Sequence, residues 1–231
     1  MQDKIKPFFE TLTDAHREFY DNSDGVQYFN GPTLYYHIES LNSRHCPVLF
    51  AKNSSAMLAC WGMHRMGSKG PKMKEFSTYM ASITRIWPDI RNLQSYSLAN
   101  EKLPWDKLES CFLNLKVMVG GSFLVGHSKV LAHLLPEISP PIDRTYTLKH
   151  LGILLQSAKT EKKQWELYLN ALRKFFLPIL QDDRFQKYLQ CLSHQSHAWA
   201  TSPLKCIDNL IIGAEKIKRT RIIDGKRQAE K

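Results

Sequence analysis

The chain has 231 residues, 43% hydrophobic and 11% aromatic, which is enough apolar matter for a sizeable core and too much for a disordered segment. Thirty-two Lys and Arg against 22 Asp and Glu leave a net charge of +10, the balance expected of a protein that works beside a polyanion, nucleic acid being the commonest. No apolar run reaches the roughly 20 residues that cross a bilayer, "MQDKIKPFFETL" lacks the apolar heart of a secretory signal, and the scattered Cys46, Cys60, Cys111, Cys191 and Cys206 read as reduced thiols.

Helical periodicity dominates from the start. In "IKPFFETLTDAHREFY" Ile5, Phe8, Phe9, Leu12, Ala15 and Phe19 share one stripe, and "NSDG" closes the helix. "GPTLYYHIESL" puts Pro32 in a first helical turn and Leu34, Ile38 and Leu41 inward. "CPVLFA" has strand length but no partner strand. "NSSAMLACWGMHRM" reads as a helix capped by Asn53 or Ser54 and closed at Gly67. After the basic loop "GSKG", Pro71 opens "PKMKEFSTYMASITRIW", which Pro88 breaks or kinks.

"PWDKLESCFLNLKVM" buries Leu108, Phe112, Leu115 and Val117 before Gly120 and Gly121 interrupt it. A short helix from about His127 to Leu135 ends at Pro136, and another runs from near Arg144 to Gly152. "EKKQWELYLNALRKFFLPIL" is a long amphipathic helix, followed by "DDRFQKYLQCLS" and "SPLKCIDNLIIGAEK". The fold class is therefore all-α, with roughly ten helices in two closely packed lobes. One unit spans 1–217, and 218–231 is a basic tail. The last sixteen residues carry seven basic and two acidic side chains, half of the total excess, suited to phosphate contact or simply to solubility.

The stretch "LVGHSKVLAHLLPEISPPIDRTYTL", residues 124–148, reads as more than packing. A glycine turn ahead of a helix points backbone N–H groups at a phosphate, which makes Gly126, His127 and Ser128 candidate nucleic-acid contacts. Lys129 follows in the first turn, where a cation opposes the helix dipole unless an anion or a reaction needs it. Pro140 and Pro141 fix an extended approach to Asp143, which by spacing alone is the N-cap of the next helix. Arg144 and Tyr146 flank it closely enough to orient it or to touch a nucleic-acid backbone, and an arginine there would hold the carboxyl ionised.

This segment resembles, in divergent form, the helix-hairpin-helix DNA glycosylase superfamily and its endonuclease III-like members. "FLVGHSKVLAHLL" stands in for the hairpin, within an element at about 105–136, and "PPIDRTYTL" for the aspartate phrase. Gly126 is alone where the family has two glycines, Lys129 and Asp143 lie only 14 positions apart, and no four-cysteine cluster motif occurs. The resemblance implies an all-α, two-lobed hydrolase that excises a damaged or modified base from double-stranded DNA, in repair or in anti-phage defence. It makes Asp143 the catalytic carboxylate and Lys129 the counterpart of the nucleophile in lyase-competent members.

A fixed carboxylate suits the positive charge that develops on the sugar, and a desolvated lysine can attack C1′ and form a Schiff base. The simpler version, and the expectation favoured here, leaves Lys129 exposed on phosphate while Asp143 directs water. Base flipping also needs a stacking pocket. Trp61 offers a ring, His64 and Arg65 hydrogen bonds, Lys69 and Lys72 phosphate contacts, and "GPTLYYH" adds Tyr35 and His37. The bland alternative makes Trp61 and Met63 core and His64 a satisfied buried imidazole.

Two rival functions stand beside the enzyme. One is a non-catalytic DNA- or RNA-binding module using the hairpin and basic surface; the other is a helical adaptor whose tail meets an acidic protein. The expected setting is cytoplasmic, nucleoid-associated in a bacterium, with no membrane, metal, cofactor or obligate protein partner.

Overall fold

The structure, a computed structural model, describes residues 1–21, 31–64, 66–67, 70–100, 102–194 and 197–229. Its helices are α1 (Ile5–Glu10), α2 (Leu12–His16), α3 (Pro32–Asn42), α4 (Pro47–Cys60), α5 (Phe76–Leu93) and α6 (Trp105–Asn114). There follow α7 (Phe123–Leu134), α8 (Thr147–Leu151), α9 (Glu161–Ala171), α10 (Leu177–Leu180), α11 (Asp183–Ser193) and α12 (Pro203–Ala229). The fold is all-α. Extended pairing among the described residues is slight: Met66–Gly67 with Gly70–Pro71, and one bridge from Met73 to Met118.

Local chemistry explains most of the boundaries. Pro32 and Pro47 open α3 and α4, where a missing N–H costs nothing. Thr160 and Asp182 cap α9 and α11 by accepting from the N–H groups of Lys163 and Arg184. Gly152 closes α8 in the left-handed conformation, with φ at +67°.

Several elements differ from the sequence reading. The apolar run "PVLFA" is helix, because α4 starts at Pro47 and buries Phe50 and Ala51; Asn53 and Ser54 are interior positions, and Ser54 bonds the Phe50 carbonyl and Tyr79 hydroxyl. α5 starts at Phe76, since residues 72–74 pair instead with 117–119 through Lys74 N–H to the Val117 carbonyl (2.9 Å) and Val119 N–H to the Lys72 carbonyl (2.8 Å). Pro88 does not break α5: Ile86, Trp87 and Ile90 are buried around it, and that packing offsets the lost bond. The long helix expected over 161–180 carries a π-helical turn at Leu172–Phe176, directly before Pro178, which has no N–H for the turn behind it.

The packing falls into two sets. α3 lies on α4, α4 on α5 and α5 on α6, while α7 touches α3, α4, α6 and α9. The chain's two ends form the other set: α12 packs on α2, on the π-helical turn Arg17–Asp21 and on α8. Gly213 permits the α2–α12 contact, because a Cβ there would overlap the Ala15 carbonyl. A large core around Phe112, Trp165, Tyr168 and Phe175 runs through both sets, taking in Ala15 of α2 and Ile207 and Leu210 of α12, and a smaller cluster of Phe19, Tyr20, Trp199 and Ile212, with Trp61 and Tyr146 against it, lies beside the ends. Residues 218–229, expected as a separate tail, continue α12. No helix among the described residues is long and apolar enough to cross a membrane.

Candidate active site

The "GHSK" segment is helix interior rather than a hairpin turn. α7 begins at Phe123, one turn earlier than the sequence suggested, and the glycine turn is Gly120–Gly121, with φ at +76° for Gly121. Gln164 fixes that start. Its side-chain carbonyl accepts from Leu124 N–H (2.8 Å), and its amide donates to the carbonyls of Gly121 (3.2 Å) and Ala158 (2.9 Å). Every residue of α7 from Leu124 to Leu134 is buried, so Lys129 rides into the interior on a core helix.

The proline strap is anchored from both sides. Tyr168 donates to the Pro140 carbonyl (3.2 Å) and bonds Ser139, while Ile142 N–H donates to Ser128 Oγ (3.0 Å). The strap delivers Asp143, whose two oxygens divide the work. Oδ1 accepts from the N–H groups of Thr145 (2.6 Å) and Tyr146 (3.0 Å), a capping role, and Oδ2 faces Lys129 Nζ at 3.7 Å. The Asp143 N–H donates to Thr147 Oγ1 (3.3 Å), and its carbonyl accepts from Leu148 N–H (2.9 Å), so the residue is held by four hydrogen bonds, two at the carboxylate and two at the backbone.

Lys129 is buried, and its Nζ lies 4.8 Å from the centre of the Trp61 ring. Burial pushes its ammonium below the usual lysine range, against the pull of Asp143 and Asp208. A cavity of about 260 Å³ opens over the pair. Phe19, Trp61, Tyr146 and Trp199 give it aromatic walls, and Lys129, Asp143, Lys205 and Asp208 give it charge. The Asp143 side chain is 31% exposed against 10% for Lys129, which places the carboxylate at the rim and the amine inside. The arrangement suits a flat ring between aromatic faces with its attached carbon beside a nucleophile and a carboxylate.

Behind Trp61 runs a chain of neutral imidazoles. The Lys129 carbonyl can only accept, so His133 Nδ1 carries the proton (2.7 Å) and its Nε2 accepts from His37 Nδ1 (2.7 Å). His37 Nε2 then accepts from the Thr201 hydroxyl (3.2 Å). Burial, first among the causes, lowers His37 to about 2 and His133 to about 4.

The sequence-predicted residues separate cleanly. Asp143, Lys129, Trp61 and Tyr146 line one cavity. His37 is buried behind it, its ring 6.2 Å from that of Trp61, rather than in its lining. Gly126, His127 and Ser128 are buried in α7, which corrects their assignment as phosphate contacts; Phe112 and Phe123 pack on the His127 ring. Lys129 is likewise no exposed phosphate ligand. Arg144 turns its guanidinium to the Ser122 hydroxyl, not to Asp143. His64 is exposed, with its ring bonded to the Ala59 carbonyl (2.7 Å), and Tyr35 is 59% exposed; neither lines the cavity. Lys72 is exposed beside the 117–119 pairing, while Arg65 and Lys69 lie outside the described residues.

Sequence reasoning missed the far wall. Lys205 and Asp208 sit three residues apart on α12, and their Nζ and Oδ2 are 2.8 Å apart and buried. The available signal was Lys205, Asp208 and Asn209 at helical spacing inside "PLKCIDNLII", where apolar neighbours leave a polar face no route to solvent. Phe19 and Trp199 give no such signal, because their approach depends on the two ends of the chain meeting. Comparison with protein-family models, curated proteins and solved structures finds no match to this chain.

Proposed function

We propose that this protein is a DNA glycosylase that excises a modified base flipped out of a duplex, with Lys129 as nucleophile and Asp143 as the carboxylate that serves it. The observation that carries the reading is the 3.7 Å approach of Lys129 Nζ to Asp143 Oδ2 at an aromatic-walled cavity, with the amine buried and its proton weakly held. A lysine kept for phosphate contact would gain nothing from burial. A nucleophile needs it, since only the neutral amine attacks.

The chemistry follows from that placement. The extruded base stacks between aromatic faces, which brings C1′ to the rim. The Lys129 amine bonds to C1′ as the N-glycosidic bond breaks, and its electron pair leaves with the base. The Asp143 carboxylate stabilises the positive charge building on the sugar, then takes the proton of the new ammonium and passes it to the departing base. The amine's remaining electron pair then forms the C1′=N bond of a Schiff base as the C1′–O4′ bond breaks and O4′ takes a proton from water. The Asp143 carboxylate, free again, takes a C2′ proton, and the C3′–O bond breaks with its electron pair leaving on the 3′-phosphate. Arg144 and Arg219 lie beside this rim: Arg144 follows Asp143 in the chain and bonds the Ser122 hydroxyl, and Arg219 donates to the Thr145 carbonyl (3.1 Å) and packs on Tyr146. They suit the flanking phosphates.

The test is a screen of duplexes bearing single oxidised, deaminated, alkylated or glycosylated bases for alkali-labile breaks. The enzyme reading expects release of at least one base, reduced about 100-fold or more in Asp143→Asn, which keeps the cap but removes the charge. Duplex binding with no product from any substrate would favour the non-catalytic module.

A further inference from the structure

The cavity holds a second buried ion pair that the chemistry at C1′ does not use. Lys205 Nζ donates to Asp208 Oδ2 (2.8 Å) and to Asn209 Oδ1. The rings of Phe19 and Trp199 lie 5.9 and 5.8 Å from it, close enough for their faces to steady a cation. An ammonium has three N–H groups, and the third finds no acceptor among the described residues.

The partners of Lys205 are fully committed elsewhere. Asp208 Oδ1 takes the Thr147 hydroxyl (2.9 Å), and Asn209 donates to the Tyr20 hydroxyl (2.8 Å) and the Trp199 carbonyl (2.9 Å). Thr147 also accepts the Asp143 N–H, so one chain of hydrogen bonds ties the second pair to the backbone of the first. The cluster therefore has a fixed position relative to Asp143, and Lys205 lines the cavity with one donor that no described residue takes.

A buried pair of this kind contributes little to stability, because desolvation offsets most of the attraction. A recognition role explains it better. Resting on the glycosylase reading, we propose that Lys205 reads the extruded base, giving its third N–H to a ring carbonyl oxygen, and that the site takes 4-oxopyrimidines and 6-oxopurines in preference to 4-amino and 6-amino bases. An oxygen at that edge completes the third hydrogen bond. An amino group there sets donor against donor and leaves the ammonium both desolvated and unpaired, a mismatch that discriminates strongly.

The experiment uses the full chain and duplexes in matched pairs: 5-hydroxyuracil with 5-hydroxycytosine, 5-hydroxymethyluracil with 5-hydroxymethylcytosine, and hypoxanthine with adenine. Base release is measured for wild type, Lys205→Met and the double variant Lys205→Met/Asp208→Asn, which leaves neither charge alone. Wild type is expected to release the carbonyl member of a pair about tenfold faster or more, and both variants to shrink that ratio to about twofold. Equal or inverted preference in wild type, an unchanged ratio in the variants, or variants that release neither member overturns the assignment of Lys205. So does a wild type that forms a borohydride-trapped adduct with an abasic duplex yet releases none of the six bases. A wild type that forms no such adduct and releases no base overturns the glycosylase reading and this one with it.

Discussion

His37, His127 and His133 are buried where a positive charge has no compensating anion, and burial holds all three well below the ordinary value of 6.5, His127 at about 3. Between pH 6.5 and about 4 the unfolded chain therefore takes up protons that the folded chain refuses. Stability is complete above pH 6.5 and drains away as the pH falls. Each histidine costs the fold about 2 kcal/mol between pH 7 and pH 5. Urea titrations at pH 7, 6 and 5 should show a fall of about 6 kcal/mol from these three, and His127→Leu should remove about 2 kcal/mol of it. A stability unchanged over that range would contradict the burial of these rings. None of the three announces itself in the sequence, since a histidine on an apolar stripe reads the same whether it is a ligand, a surface group or core. Asp143 was legible because its cap depends only on neighbours; the second duty of its other oxygen depends on α7, whose entry was misplaced by one turn.

At the scale of elements, the glycines show why that misplacement arose. Gly126 looked like a turn, yet it is a packing position: a Cβ there would come 2.7 Å from Met118 Cγ and 3.3 Å from Val117 Cγ1. Gly213 is tighter, because the atom in the way is the Ala15 backbone oxygen, which no side-chain rotation relieves. Gly213→Ala is thus expected to destabilise by about 3 kcal/mol by forcing α12 off α2. In Gly126→Ala the flexible Met118 gives way and the gain in helix propensity, about 1 kcal/mol, offsets most of the strain. Thermal or urea melts decide it, and equal effects at the two sites would count against the close crossing of α2 and α12. The all-α class was legible because helix periodicity is local. Of the boundaries that moved, Phe76 and Phe123 were set by partners distant in sequence, residues 117–119 and Gln164, whereas Pro47 marks a helix start that was legible from the proline itself.

The whole molecule brings the ends of its chain together over its middle, and the cavity forms along that junction. Trp61, Lys129 and Asp143 come from the middle, and Phe19, Lys205 and Asp208 from the two ends. The Lys129–Asp143 pair was thus readable from one continuous segment, 124–148, and the wall made by Phe19, Lys205 and Asp208 was hidden because its parts are nearly two hundred positions apart. The net charge of +10 fits a polyanionic partner, and Arg219, packed on Tyr146, puts a basic side chain beside the rim. The central claim is that the buried Lys129 attacks the sugar, and the direct measurement is borohydride reduction of the protein mixed with a duplex containing one abasic site. A stable covalent protein–DNA adduct is predicted for wild type and for Lys187→Ala, at an exposed lysine outside the cavity, and none for Lys129→Ala. Failure of wild type to form the adduct, or an adduct of undiminished yield in Lys129→Ala, would contradict it.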